Sequence, residues 1–136
     1  MDPDTVLTLA HEQAIQYPSV EISYPFGHEY AVYKVRDKMF MMHFELRGAP
    51  SLNLKIDPLD SEVLRDAYDE ITPGYHMNKL HWITVSGAGD ENTAGNTLDA
   101  ELLHDLVLES YCLVVAKMPK RDRPVDPATF GGRSDD

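Results

Sequence analysis

Residues 39 to 46 read Met-Phe-Met-Met-His-Phe-Glu-Leu, so Phe40, Met42, Phe44 and Leu46 alternate with Met41, His43 and Glu45. A period of two is the pattern of a half-buried strand, because successive side chains on a strand point to opposite faces. A second run follows directly, with Leu52, Leu54 and Ile56 on one face and Ser51, Asn53 and Lys55 on the other. Only Arg47-Gly48-Ala49-Pro50 lies between the two runs. So short a connection joins antiparallel neighbours, since a parallel pair needs a long crossover. The chain is thus committed to an antiparallel sheet whose apolar side other elements must cover.

The flanking segments supply the cover. Residues 3 to 17 carry a helical stripe of Val6, Leu7, Leu9, Ala10, Ala14 and Ile15. Asp2 suits its cap and Pro3 its first position, and Tyr17-Pro18 closes it. Short strands are expected at 20–24 and 30–35, with Pro25-Phe26-Gly27 as a turn. Asp57-Pro58 opens a second helix running to about residue 70, ended by Pro73-Gly74. Residues 82–86 form a last strand and 87–96 a polar turn. Leu98 to Lys117 forms a long helix capped by Thr97. The order α-β-β-β-β-α-β-α defines an α+β domain, an antiparallel sheet with helices packed on one side. Residues 1–118 are expected to form the domain, and the proline-rich 119–136 a flexible tail.

At 136 residues the chain has the length of one domain, with 43% hydrophobic and 26% charged residues, values that exclude wholesale disorder. Its single Cys112 lies in the apolar run 111–115, which points to a buried thiol and excludes an internal disulfide or a Cys-rich zinc site. No secretory leader or membrane-length apolar segment is legible, so a cytoplasmic protein is expected. The formal net charge is -11, from 12 Lys and Arg against 23 Asp and Glu. That balance opposes tight non-specific nucleic-acid binding, which needs cations to neutralise phosphates. The cations are uneven, however. None occurs in residues 1–29, and Lys117, Lys120, Arg121 and Arg123 cluster late, so a local basic face on an acidic body is compatible with the sequence.

The densest chemistry lies in Pro73-Gly-Tyr-His-Met-Asn-Lys-Leu-His-Trp82, which contains no acid. Lys34, Lys55 and Lys79 together would make an anion site if they converge. His76, Asn78 and His81 would add hydrogen bonds, and Tyr75 and Trp82 a stacking surface. The plainer alternative makes the lysines solvated strand residues, Trp82 a core residue, and His76 and Asn78 partners for irregular backbone. No metal site or cofactor is expected. His76 and His81 are five apart with no acid between them, unlike a helical zinc pair. No nucleophile elbow, phosphate-cradling loop, dinucleotide fingerprint or paired-acid motif is present, which leans against an enzyme.

Tyr24-Pro-Phe-Gly27, Tyr33-Lys-Val35 with Lys38-Met-Phe40, Leu54-Lys55, Leu64-Arg65, Pro73-Gly-Tyr-His-Met-Asn-Lys79 and His81-Trp82 together resemble the MmcQ/YjbR family. The likeness extends over residues 3 to 118. It implies a CyaY-like (frataxin-like) fold and a DNA-binding role, and the family pattern retains residues matching Lys34, Lys55 and Lys79. On this reading the chain is a monomeric, non-catalytic domain that binds DNA, weakly and in a salt-dependent way, through a sheet face and the 73–82 loop. The alternative is a small-ligand protein or enzyme acting on a phosphorylated or carboxylated metabolite at the same loop. A third reading is an adaptor whose acidic helices meet a basic partner.

Overall fold

Helix α1 (Pro3–Ala14) starts where Asp2 accepts the Thr5 N–H at 3.0 Å. Four strands follow in a meander: β1 (Val20–Ser23), β2 (Ala31–Val35), β3 (Lys38–Leu46) and β4 (Ala49–Lys55). Helix α2 (Pro58–Ala67) is capped by Asp57, which accepts the Leu59 N–H at 2.9 Å. Strands β5 (Ile71–Pro73) and β6 (Trp82–Ser86) precede the long helix α3 (Ala100–Ala116). The computed structural model describes residues 1–86 and 97–132. The polar turn expected at 87–96 lies outside them.

The six strands form one antiparallel sheet in the order β1-β2-β3-β4-β6-β5. Helices α1 and α3 cover one face. Val6, Ala10 and Ala14 of α1 and Leu103, Val107, Tyr111 and Val115 of α3 join Tyr33, Val35, Leu52, Leu54, Ile83 and Val85 in a single buried cluster. Cys112 is buried within it. Tyr111 is wholly buried, stands edge-on to Phe40 and donates to the Pro18 carbonyl at 2.7 Å. Among the described residues no helix is long and apolar enough to cross a membrane.

The α+β architecture expected from the sequence is the one observed, with four local differences. The simple alternation in β3 breaks at Phe40, the residue skipped where the pairing with β2 shifts register opposite Tyr33 and Lys34. A bulge places an extra residue on one strand and turns its side chains over. Phe40 and Met41 therefore both enter the helix-side core, whereas Met42 and Phe44 form a separate cluster with Val32 on the opposite face. His43, placed by alternation on the polar side, faces the helices instead, with its ring 4.7 Å from Tyr33.

Helix α2 ends at Ala67, because Ile71 is drawn into the core and its segment pairs with β6 as an additional edge strand. A proline is tolerated there, since an edge strand leaves one row of N–H groups unpaired. Helix α3 begins at Ala100, because Asp99 rather than Thr97 turns its carboxylate onto the Leu102 N–H at 2.8 Å. Finally, residues 119–132 lie against the domain. The Arg123 side chain donates to the Met118 and Ala116 carbonyls at 2.9 and 2.7 Å, and Phe130 packs on Tyr17 and Tyr111.

Candidate anion-binding site

The face of the sheet away from α1 and α3 has two parts. One part is roofed by the 74–81 loop, which a buried polar network holds down. Asn53 and Thr84, both fully buried, are cross-strand partners on β4 and β6. The Thr84 hydroxyl donates to Asn53 Oδ1 at 2.6 Å and accepts the Tyr75 N–H at 2.8 Å. Asn53 Nδ2 donates to the Tyr75 carbonyl at 3.1 Å. The Tyr75 ring then stacks on Phe44, 5.8 Å between centroids and 14° between planes.

Gly74 makes the close approach possible. Its N–H donates to the Trp82 carbonyl at 2.9 Å, and a Cβ there would lie 2.7 Å from Trp82 Cβ and 2.9 Å from that same carbonyl oxygen. The clash is with backbone, which cannot swing aside. Gly74→Ala is expected to cost about 2 kcal/mol through overpacking. Urea denaturation should show this as a lowered midpoint at unchanged slope, and a loss below about 0.5 kcal/mol would contradict the packing argument.

The other part of this face borders a cavity of about 890 Å3, assembled from three places in the chain. The β2–β3 hairpin turn contributes Arg36, Asp37 and Lys38. Both central residues of this turn are left-handed, with φ 50° at Arg36 and 67° at Asp37. That matches the twist of the hairpin but carries a steric cost for a side chain with a Cβ, so an Arg there is unusual. The paired ends of β4 and β6 contribute Lys55 and Trp82, which face each other across the strands. Lys55 Nζ lies 5.3 Å from the centre of the indole ring, a cation–π contact. The end of α3 contributes Lys117, and the 3-10 turn after it brings Arg121 and Asp122.

Five cations and two carboxylates thus surround one cavity whose floor includes an indole. Among the described residues none of the five cations forms an ion pair. Burial, and then the nearby charge of Lys117, lower the Lys55 pKa below the usual lysine value. Such mutual repulsion is relieved when an anion enters.

The eight residues singled out in the sequence separate. Lys55 and Trp82 meet in the basic cavity, Trp82 as a buried residue that still forms part of the wall. Lys34 and His76 line a neighbouring apolar trough. Tyr75 is stacked on the sheet, and the Lys79 ammonium donates to the Gly74 carbonyl at 2.7 Å. Asn78 turns its side-chain oxygen onto the N–H groups of Leu80 and His81, the backbone-satisfying alternative. His81 is half-buried, and its carbonyl accepts the Ile56 N–H at 2.9 Å. Lys34, Lys55, Lys79, His76 and Asn78 therefore do not gather at one place, because the loop spends Lys79 and Asn78 on its own backbone. The site-forming residues that the sequence did not mark are Arg36, Lys38, Lys117 and Arg121. The late cluster of cations signalled Lys117 and Arg121, and nothing signalled Arg36 and Lys38. His43 and His76 lie on opposite faces of the sheet, and among the described residues no three His, Cys, Asp or Glu side chains gather as metal ligands.

Fold and site together define a class: an α+β domain with one helix-covered sheet face and a basic, indole-floored cavity bordering the other. The chain belongs to the YjbR family, whose model matches residues 15–113. It is 42% identical to the uncharacterized protein YbdF of Escherichia coli O157:H7 over 123 residues, covering 90% of this chain and 95% of that one. It is 33% identical to the uncharacterized protein YjbR of Escherichia coli K12 over 90 residues, 66% of this chain and 70% of the other. Among solved structures it is similar to the Deinococcus radiodurans protein DR2400, a DUF419 domain, with a TM-score of 0.73 and 33% identity over 96% of this chain and 94% of that one. A Pseudomonas syringae protein matches with a TM-score of 0.60 and 25% identity, over 81% and 96%.

Proposed function

We propose that this chain is a non-catalytic binding domain for a small ligand carrying a phosphate or carboxylate group, held in the cavity between the β2–β3 turn, Lys55 and the end of α3. The observation that carries the reading is the gathering of Arg36, Lys38, Lys55, Lys117 and Arg121 around one cavity in a chain of net charge -11. At physiological salt, charges beyond about 8 Å are largely screened, so a small anion inside the cavity responds mainly to these five and to the two carboxylates, Asp37 and Asp122, which still leave the lining net positive. A duplex lies along a much longer surface, and the acidic remainder of the molecule repels it. The small-ligand alternative is therefore the better supported of the two sequence readings, with its site in this cavity rather than at the 73–82 loop.

A nucleic-acid single strand is the second reading. Exposed Tyr24 and Phe26, with Lys34, offer stacking and charge beside the cavity. Titration calorimetry with pyrophosphate and with a 20-base oligonucleotide, single and double stranded, separates the readings. Pyrophosphate is expected to bind, and Lys117→Ala to weaken it about tenfold, as loss of one charge-assisted contact does. Lys34→Ala should leave it unchanged. A single strand that binds more tightly than pyrophosphate, with a steep salt dependence, would favour nucleic acid. Absence of any binding at low salt would sink both.

A further inference from the structure

The basic cavity does not stand alone. A trough of about 620 Å3 runs beside it over the uncovered part of the sheet, between the Pro25–Tyr30 turn and the tip of the 74–81 loop. Its walls are Phe26, Tyr30, Val32, Met42 and Met77, with Lys34 and His76 as its polar members. Phe26 is 67% exposed and edge-on to Tyr30. Met39 lines both the trough and the basic cavity, and it is paired across the strands with Lys34. A half-buried thioether on a flexible stem is thus the partition between a cationic compartment and an apolar one. An apolar depression of this size, left uncovered beside a charged site, signals a binding surface.

We infer that the ligand is a soluble amphiphile, with its phosphate or carboxylate head in the basic cavity and an apolar tail laid along the trough past Met39. This rests on the anion-binding reading above and adds the second half of the ligand. Three methionines, Met39, Met42 and Met77, line the path, and thioethers adapt to an irregular tail better than branched side chains do. Lys34 fits the same picture. It lines the trough as its cationic member and pairs across the strands with Met39, on the tail side of the partition. A free molecule is favoured over a lipid within a bilayer, because a body of net charge -11 is repelled by an anionic membrane surface.

The test compares inorganic phosphate with octyl phosphate, kept below its micelle concentration, by calorimetry on wild type, Phe26→Ser and Lys117→Ala. Octyl phosphate should bind more than about tenfold tighter than inorganic phosphate, since each buried methylene contributes severalfold. Phe26→Ser, at an exposed turn position that folding does not depend on, should shrink that ratio to about threefold or less without changing the affinity for inorganic phosphate. Lys117→Ala should weaken both ligands. Equal binding of the two phosphates, still dependent on Lys117, would overturn the amphiphile and leave the anion site standing. Failure of both to bind would overturn the anion site itself. Binding to phosphatidylglycerol vesicles without binding of free octyl phosphate would overturn the soluble class.

Discussion

Asn53→Ala should lower the free energy of unfolding by about 3–4 kcal/mol. The side chain is fully buried and serves two partners, the Thr84 hydroxyl at 2.6 Å and the Tyr75 carbonyl at 3.1 Å. Truncation strands both, and a buried group left without its partner costs about 1–3 kcal/mol. The missing amide also leaves a cavity between β4 and β6 that the sheet cannot close without losing register. The effect reaches beyond stability, because Tyr75 is the point at which the 74–81 loop is fastened to the sheet. Urea unfolding of the variant should show the lowered midpoint, and hydrogen exchange should show amides of the loop exchanging faster than those of α1. A loss below about 1 kcal/mol would mean that the network is replaceable and does not hold the loop.

Lowering the pH from about 6.5 to 4 should cost about 3 kcal/mol through His43 alone. Burial, and secondarily the charge of neighbouring His11, push its pKa down to about 4 from the ordinary 6.5. Its Nε2 has no hydrogen-bond partner among the described residues, so nothing rewards a second proton. The groups facing it are His11 and Tyr33, themselves joined by a 2.7 Å hydrogen bond. Because the folded-state pKa is the lower one, the unfolded chain binds more protons between the two values. Stability is therefore complete above about pH 6.5 and falls as the pH drops toward 4, at 1.36 kcal/mol per unit of pKa difference. Carboxylates titrate in the same range, so the comparison must be with His43→Phe, which shares every other group. Plots of unfolding free energy against pH should diverge by about 2–3 kcal/mol between pH 6.5 and 4. Parallel plots would contradict the assignment.

Much of the fold was legible because it follows from local periodicity. Leu52, Leu54 and Ile56 opposite Ser51, Asn53 and Lys55 gave the facing of β4 correctly, and Asp2 and Asp57 with their following prolines gave two helix starts. What failed was non-local. The bulge opposite Tyr33 and Lys34 depends on how two strands meet, so alternation within β3 alone grouped Phe40 with Met42 and Phe44 and put His43 on the polar side. Strand β5 is three residues long and exists only because β6 offers it a partner. The site shows the same division. The 73–82 string drew notice for its polar groups, but Lys79 donates to the loop's own backbone and Asn78 accepts from it. The cations that do gather come from a hairpin turn, a strand end and a helix end. The late basic cluster was visible in the sequence, but its meeting with Arg36, Lys38 and Lys55 is a product of tertiary packing. No spacing rule announces it.

The cavity bounded by Arg36, Lys55, Trp82 and Lys117 is proposed to receive an anion. The most direct measurement is a nitrogen-15 amide map recorded during titration with pyrophosphate at low salt. Trp82 is the chain's single tryptophan, so its indole N–H gives one unambiguous reporter on the cavity wall. Saturable shifts of that indole signal and of the amides at 36–39, 55 and 117–122 are expected, with the amides of 78–80 unmoved. Shifts centred on the 76–81 loop, or none at concentrations that saturate other phosphate sites, would contradict that proposal.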